Sequence, residues 1–174
     1  WQVLVGIDLD VAPRTYLVSG TTPNLVVSNL SGGHTARLFA AATVVGATHV
    51  ASGAILDLNG FRFTQTSGSL VNDGTIAAST GGSELYFLGG GTAQTYSGSG
   101  TIPSPVATLT VDNAAGVSLD VGLAANVVTR RVNLIRGVLG NSNKITLGNA
   151  DTQATVTQIG ASGVTGTGGS YDAS

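Results

Sequence analysis

The stretch SGAILDLNGFRFTQ (residues 52–65) decides the fold class of this chain. Near its end Phe61 and Phe63 occupy alternate positions, directly after a turn-forming Asn-Gly pair. The stretch RGVLGNSNKITLG (residues 136–148) has the same design, with isoleucine and leucine at the alternate positions. Alternation with a period of two predicts short β-strands that bury one face and are separated by tight turns.

The composition supports a β-rich fold with many turns. The chain has 174 residues, of which 42% are hydrophobic, only 9% are charged and 26 are glycine. Ordinary soluble domains contain roughly 25% charged residues. The apolar fraction is sufficient for a core, and no segment convincingly predicts a helix. The nearest candidate, RLFAAATVVGA (residues 37–47), contains β-branched residues that argue against a helix.

Charge and cysteine content exclude several function classes. The net charge is −2 and no basic patch is present, so we expect no nucleic-acid partner. No apolar run approaches the ~20 residues of a membrane helix, so we expect no membrane insertion. The absence of cysteine excludes disulfides and thiolate metal sites. It also suits an exported bacterial protein, and we predict no metal or other cofactor.

An internal repeat becomes visible when the second half of the sequence is aligned with the first. In the best register, Leu25 and Val27 fall on Leu109 and Val111. The matched positions share apolar residues at alternate sites and glycine or asparagine at turns. We therefore expect the second half of the chain to reuse the structural design of the first half.

We interpret residues 1–174 as a single β-rich region with four parts. Residues 20–65 form the first repeat copy, residues 66–103 form linking coils, and residues 104–148 form the second copy. Residues 149–174 form the start of a further coil or a tail.

Alternation predicts strands along most of the chain. We predict strands at 2–11, 15–18, 24–28, 35–39, 43–50, 54–58, 61–65, 84–88, 106–112, 117–121, 126–135, 138–139, 144–147 and 153–159, with shorter ones at 70–71, 75–76, 85–88 and 94–96.

The favoured architecture is a right-handed parallel β-helix, a solenoid-like stack of short strands. The repeat is long and irregular inside, and aromatic residues are few, as stacked aliphatic ladders require. Asn29 and Asn113, like Asn59 and Asn143, recur at turns. Asparagine tolerates left-handed backbone and can hydrogen-bond neighbouring backbone.

An antiparallel β-sandwich is the alternative. The Asn-Gly pair at residues 59–60 and the Asp-Gly pair at residues 73–74 are typical of antiparallel hairpins.

Asp8 and Asp10 are the only closely spaced carboxylates that could serve catalysis. On a β-helix, two acids on one strand face together with Arg14 could frame a polysaccharide lyase or hydrolase site. However, Ile7 and Leu9 alternate with the acids, which is the pattern of a solvent-exposed strand face. We therefore assign no catalytic, cofactor-binding or metal-binding residue.

Five other polar residues have both an ordinary and a functional interpretation. His34 follows a Ser-Gly-Gly turn and is expected to be exposed, whereas His49 lies in a strand, and neither has a second metal ligand nearby. Arg130, Arg131 and Arg136 form the only basic cluster. They are expected either to cover a solvated strand face or edge, or to contact an anion or partner.

Tyrosines on polar strand faces could stack on sugars. Tyr86 and Phe87 are adjacent, so one should point inward and the other outward, and Tyr96 is a similar candidate. The ordinary interpretation is the packing of half-buried rings.

Threonine pairs at alternate positions suggest ice binding by a flat solenoid face. The pairs do not recur at one coil period, which argues against this function. They are Thr64/Thr66, Thr108/Thr110 and Thr155/Thr157.

The stretch ATLTVDNAAGVSLDVGLAANVVTRRVNLIRGVLGNSNKITLGN (residues 107–149) resembles the repeat of very large secreted surface proteins of Bacteroidetes-type bacteria. Leu109–Val117 carries the first part of that repeat, and Gly137–Gly148 carries the second. GGSELYFLGGGTAQTYSGSGTIP (residues 81–103) resembles the linking coil of the same proteins. Arg130 departs from the pattern, as does its neighbouring arginine, because small polar residues are usual there.

The resemblance implies an extracellular structural or adhesive module of a bacterial surface protein, exported by type IX secretion and not an enzyme. We expect its partners to be further repeats of the same parent chain or copies of itself, surface glycans and the secretion machinery. Two alternatives remain open: a subunit of a self-assembling extracellular filament, and a carbohydrate-binding or carbohydrate-active β-helix.

Overall fold

A computed structural model describes residues 3–5, 13–29, 33–125, 127–147, 155–158 and 162–165. This part of the chain is all-β and contains no α-helix. Its one helical turn is a 3-10 turn at Ser142–Lys144. The segment 37–47, the nearest helix candidate in the sequence, is strand and turn instead.

The described strands are mostly short. They are β1 (Val3–Val5), β2 (Thr15–Thr22), β3 (Leu25–Val27), β4 (Thr35–Val44), β5 (Thr48–Val50), β6 (Ile55–Asp57), β7 (Arg62–Gln65), β8 (Leu70–Asn72), β9 (Thr75–Ala77), β10 (Glu84–Gly89), β11 (Gln94–Ser97), β12 (Thr108–Asn113), β13 (Val117–Leu119), β14 (Val127–Thr129), β15 (Arg131–Gly140), β16 (Ile145–Leu147), β17 (Thr155–Gln158) and β18 (Ser162–Thr165).

The strands stack as a parallel β-solenoid of about six turns. Every strand pair in the described residues is parallel, which confirms the β-helix and excludes the antiparallel β-sandwich. Each coil passes through three faces in a fixed order, which we call faces C, B and A.

Each face is a ladder of strands from successive coils. Face A contains β1, β3, β5, β8, β11, β13, the second half of β15, and β18. Face B contains the second halves of β2 and β4, then β7, β10, β12, the first half of β15, and β17. Face C contains the first halves of β2 and β4, then β6 and β9, and further along the stack the separate two-stranded sheet of β14 and β16.

The length of a coil varies along the stack. The chain between the register partners Leu70 and Tyr96 is longer than the chain between the partners Val127 and Ile145. The internal repeat seen in the sequence therefore spans several coils of unequal length. The sequence alignment matches Leu25 with Leu109, but Leu25 lies on face A and Leu109 lies on face B. The spatial repeat is the single coil, and the residues matched in the sequence lie on different faces.

Strand ends differ from prediction where the chain turns a corner. The predicted strand 43–50 is two strands, because β4 ends at the corner between faces B and A and β5 begins beyond it. The predicted strand 126–135 is likewise interrupted at Arg130, at the corner between faces C and B. Strand β18 was not predicted. Most of the predicted strand 2–11 lies outside the described residues.

The core is built from the inward side chains of each face. On face B, Phe63, Leu85, Leu109 and Val132 are in register on successive coils, and each is at most 1% exposed. Such apolar ladders stabilise each coil against its neighbours, at roughly 25 cal/mol for each Å² of apolar surface removed from water.

Asparagines at the corners join one coil to the next, as their recurrence predicts. The side-chain nitrogen of Asn59 donates to the Leu38 carbonyl at 2.9 Å, and that of Asn29 donates to the Ser52 carbonyl at 3.2 Å. In the stretch 136–148, the asparagine that joins two coils is Asn141 rather than the predicted Asn143. The Asn141 backbone is left-handed, at φ 55°, and its side-chain nitrogen donates to the carbonyl of the coil before it.

The Asn59–Gly60 pair forms the tight turn that its sequence predicts, but not an antiparallel hairpin. Both residues have positive φ, and the Phe61 amide donates to the Leu58 carbonyl at 2.8 Å. The turn leads from β6 on face C to β7 on face B. The prediction of a turn is therefore confirmed, while the strand pairing that such a turn normally implies is wrong.

Asp57 is a buried carboxylate at the end of β6, and only 2% of the residue is exposed. It accepts hydrogen bonds from Arg37 Nε at 2.8 Å and from Ser79 Oγ at 2.7 Å. The Asn59 amide also donates to it, at 3.0 Å. Burial alone would raise the pKa of Asp57, but these hydrogen bonds outweigh it and hold the pKa below its ordinary value.

We expect Leu56→Ala to destabilise the solenoid by about 2–5 kcal/mol, because Leu56 is 0% exposed and its removal leaves a cavity. The matched control is Leu17→Ala, at a strand leucine that is 65% exposed. That change should cost about 0.5 kcal/mol or less. Urea unfolding followed by circular dichroism measures both, and equal shifts of the two midpoints would contradict the described core.

We expect Asp57→Asn to lower stability at pH 7 by about 1–3 kcal/mol, because a charged hydrogen-bond acceptor is lost from a buried site. Since the folded-state pKa is lowered, the stabilisation by Asp57 is present above pH 3.8 and is lost as the pH falls through the folded-state pKa. Urea midpoints at neutral pH and in strong acid should therefore differ less in Asp57→Asn than in the wild type. The exposed Asp120→Asn is the control, and an unchanged pH dependence in Asp57→Asn would refute the assignment.

Candidate functional site

A continuous polar network lies on the outer surface of face B. It consists of Arg62, Glu84, Tyr86, Asp112 and Arg136, and we call it the face B network. These residues lie on four neighbouring strands, β7, β10, β12 and β15. Alternation along each strand places them outside, because their neighbours fill the core.

One end of the network joins a cation to a carboxylate and an aromatic ring. Arg62 Nε donates to Glu84 Oε2 at 2.6 Å. The guanidinium carbon of Arg62 also lies 4.6 Å from the centre of the Tyr86 ring, within the range of a cation–π contact. Thr110 Oγ1 donates to the other carboxylate oxygen of Glu84 at 2.5 Å.

The other end is centred on Asp112. The Tyr86 hydroxyl donates to Asp112 Oδ2 at 2.9 Å, and Arg136 Nε donates to Oδ1. A terminal guanidinium nitrogen of Arg136 donates to the carbonyls of Gly89 and Asp112, both at 3.3 Å. The Arg136 side chain is thus fixed by three acceptors on two coils.

The network exposes its cations and shields its anions. The side chains of Arg62 and Arg136 are 53% and 52% exposed, against 14% for Glu84 and 15% for Asp112. Two arginines balance two carboxylates, so these five residues together carry no net charge. Burial raises the pKa of Tyr86, and its hydrogen bond to Asp112 raises it further.

The carboxylate oxygens of the network are engaged within the protein, whereas its guanidinium groups are half-exposed. Both oxygens of Glu84 and both oxygens of Asp112 already accept hydrogen bonds from protein donors. A general acid or base needs an oxygen within reach of the substrate proton. The exposed guanidinium edges offer donors to a ligand instead. In the described part of the chain, no group of three or more histidines or acids is placed to hold a metal ion.

The structure brings together only some of the residues singled out in the sequence. Asp8 and Asp10 lie outside the described residues, so a cluster with Arg14 has no described geometry. His34 was expected to be exposed, and this is wrong. It is 0% exposed because the β4 alternation places it on the inner side of the chain, and its Nδ1 accepts from the Arg14 amide at 3.3 Å.

His49 lies in β5 as predicted and points outward. Its Nε2 is 3.1 Å from Asp73 Oδ2, and Ser99 Oγ donates to the other oxygen of Asp73 at 3.1 Å. The hydrogen bonds from Ser99 and His49 lower the pKa of Asp73. The carboxylate lies between the two other side chains, so the arrangement lacks the serine–histidine contact of a nucleophilic triad.

The prediction for the adjacent aromatic residues is confirmed. Phe87 is 1% exposed in the core, and Tyr86 points outward into the network. Tyr96 cannot stack on a sugar, since it is 3% exposed and its hydroxyl accepts from Asn72 Nδ2 at 3.0 Å. Burial raises the pKa of Tyr96 to about 12.

The Thr-x-Thr pairs do not recur in register on neighbouring coils, as predicted, but single threonines recur along one row of face B. The sequence does not reveal this row, because the coils differ in length and the threonines therefore do not recur at a constant spacing. In register order it contains Thr21, Thr43, Thr64, Tyr86, Thr110, Asn133 and Thr157. Thr64 and Thr110 are only 8% and 1% exposed, so the row does not present the open hydroxyl surface that ice binding requires.

Sequence reasoning missed the ion pairs of the network. The only feature of the sequence that could have indicated these pairs is a residue of opposite charge about one coil further along the chain. Glu84 stands in this relation to Arg62, and Arg136 to Asp112. Because coils differ in length, no fixed spacing selects these pairs. Among the arginines of the predicted basic cluster, only Arg136 forms an ion pair with a described residue.

Comparison of the chain with family models, curated proteins and solved structures finds no match. Among the described residues, no helix is long and apolar enough to cross a membrane.

We expect Asp112→Asn to lower the pKa of Tyr86 towards its ordinary value of 10.0, because the charged acceptor of the phenol proton is removed. NMR titration of ring-labelled tyrosine measures this pKa. Asp120→Asn is the control, since Asp120 caps a distant turn by accepting from the Gly122 amide. An unchanged Tyr86 pKa in Asp112→Asn would contradict the described contact.

Proposed function

We propose that this chain is a structural and adhesive module of a large extracellular bacterial surface protein and carries out no chemistry of its own. The observation that supports an adhesive role most directly is the face B network. It presents two half-exposed guanidinium groups held in place by neighbouring coils. A surface ordered before binding loses little conformational entropy when a ligand arrives.

The balanced charge of the network favours a neutral glycan as its ligand. Sugar hydroxyls both donate and accept hydrogen bonds, and the network offers its arginines as donors and the Tyr86 phenol oxygen as an acceptor. Arg62 and Arg136 lie at opposite ends of the network, on β7 and β15, so an extended oligosaccharide could contact both.

The solenoid itself supports the structural role. Its buried ladders and corner asparagines join each coil only to adjacent coils, so stability accumulates along the axis of the stack. The resemblance of residues 107–149 to surface-protein repeats supports the same role. It is also the basis for proposing export by type IX secretion and further repeats of the parent chain as neighbours.

A glycan array tests the adhesive part of the proposal. We expect the wild-type chain to bind one or more neutral glycans, and Arg62→Ala/Arg136→Ala to weaken that binding by about tenfold or more, because charged hydrogen-bond donors are removed. Arg131→Ala is the matched control, since Arg131 is exposed but is not one of the five residues of the network. Absence of neutral-glycan binding by the wild type, or equal binding by the double variant, would overturn the adhesive role.

Light scattering during gel filtration distinguishes a module from a filament subunit. A mass of 17.2 kDa, stable over a wide range of concentration, is the result expected for a module. Concentration-dependent growth, with fibres in negative-stain images, would instead support the self-assembling filament.

A further inference from the structure

A second, chemically different site lies away from the face B network. It is a small polar pocket of about 230 Å³, lined by the segment 79–82, Ser104, Pro105 and Arg130. We call it the Arg130 pocket. Three successive coils contribute to it: the loop before β10, the loop before β12, and the corner after β14.

We propose that the Arg130 pocket binds an oxyanion, either a free inorganic ion or a sulfate or carboxylate group of an acidic polysaccharide. The first argument is the uncompensated charge of Arg130. This residue is exposed and forms no ion pair with any residue that the structure describes. By contrast, Arg37, Arg62 and Arg136 each pair with a carboxylate.

The second argument is the chemistry of the remaining lining. Gly81 and Gly82 leave their backbone accessible, and a Cβ placed on Gly81 would meet no atom within 4 Å. The Ser104 hydroxyl adds a polar group to the pocket wall. Backbone amides of glycine-rich turns, hydroxyls and a guanidinium group are the donors with which proteins bind oxyanions.

The third argument is that the pocket is rigid before any ligand binds. Ser79 Oγ donates to Asp57 at 2.7 Å, and Thr80 Oγ1 donates to Asn59 Oδ1 at 3.0 Å. Ser83 Oγ donates to the Thr80 carbonyl at 3.0 Å and fixes the end of the loop.

The other walls are fixed by backbone hydrogen bonds between coils. The Ala107 amide donates to the Ser83 carbonyl at 2.8 Å, and the Arg130 amide donates to the Val106 carbonyl at 3.0 Å. These bonds place Arg130 above the loop that contains Ser104, with Pro105 limiting the loop backbone.

Asp57 does not oppose anion binding at this place. It lies beneath Ser79, is 2% exposed, and is paired with Arg37 at 2.8 Å. Its negative charge is therefore compensated on the inner side of the loop, whereas the Arg130 charge remains available at the mouth.

NMR titration of the ¹⁵N-labelled chain with sodium sulfate, at ionic strength held constant with sodium chloride, tests the proposal. We expect saturable shifts confined to residues 79–82, 104–107 and 130. Arg130→Ala should weaken binding by about 10- to 100-fold, the effect of losing a charged hydrogen-bond partner. Arg131→Ala is the matched control, because Arg131 is exposed and adjacent but does not line the pocket.

Gly81→Val provides a test that leaves the charge in place. Its side chain enters open space, so the protein should fold with a wild-type melting temperature while the pocket is filled. Loss of sulfate binding in Gly81→Val and Arg130→Ala, with binding retained in Arg131→Ala, supports the site. Shifts that do not saturate, or that persist in Arg130→Ala, overturn it.

Parallel titrations with a sulfated dextran oligosaccharide and with oligogalacturonate distinguish the sources of the oxyanion. Tighter binding of either polymer than of sulfate, lost in Arg130→Ala, assigns the site to an acidic polysaccharide. Binding of inorganic sulfate alone assigns it to the free ion. Because neutral glycans are the ligands proposed for the face B network, failure of one proposal leaves the other intact.

Discussion

Parallel hydrogen bonding between successive coils is the constraint on which the rest of this structure depends. A short isolated strand cannot satisfy its own backbone groups, and each unpaired buried group is costly. The neighbouring coil supplies the partners, so the register of one coil fixes that of the next. The core ladders follow from this register, and so do the outer rows, because side chains at paired positions must point the same way.

Variation in coil length separates the regular geometry of the faces from the variable geometry of the corners. Additional residues between register partners are accommodated in loops and corners, such as residues 78–83 before β10. The faces then produce linear arrays of side chains, of which the face B network is one. The loops produce local concave sites such as the Arg130 pocket, where small residues and a proline form the walls. The ligands proposed for these two surfaces differ in charge, because the face B network has balanced charge and the Arg130 pocket does not.

Local patterns identified most of the strands, and their failures have local causes. The predicted strand 43–50 crosses a corner that the alternation of apolar residues does not reveal. His34 was assigned to the surface from its Ser-Gly-Gly neighbours, although the strand that follows places it on the side of Ala36 and Leu38, which are both 0% exposed. The Asn59–Gly60 pair predicted the turn correctly. The strand that follows the turn, β7, pairs with strands of the neighbouring coils and not with the strand before the turn.

The sequence by itself determined an all-β chain of short strands, the opposite orientations of Tyr86 and Phe87, and the role of asparagine at turns. These properties depend on alternation and on backbone preference within a few residues. Tertiary structure alone decided that Arg62 meets Glu84, that Asp112 meets Arg136, and that Arg130 faces a glycine loop of an earlier coil. The physical reason is that such contacts depend on the register between coils. Because the coils differ in length, the linear spacing of residues leaves that register undefined until the whole stack has formed.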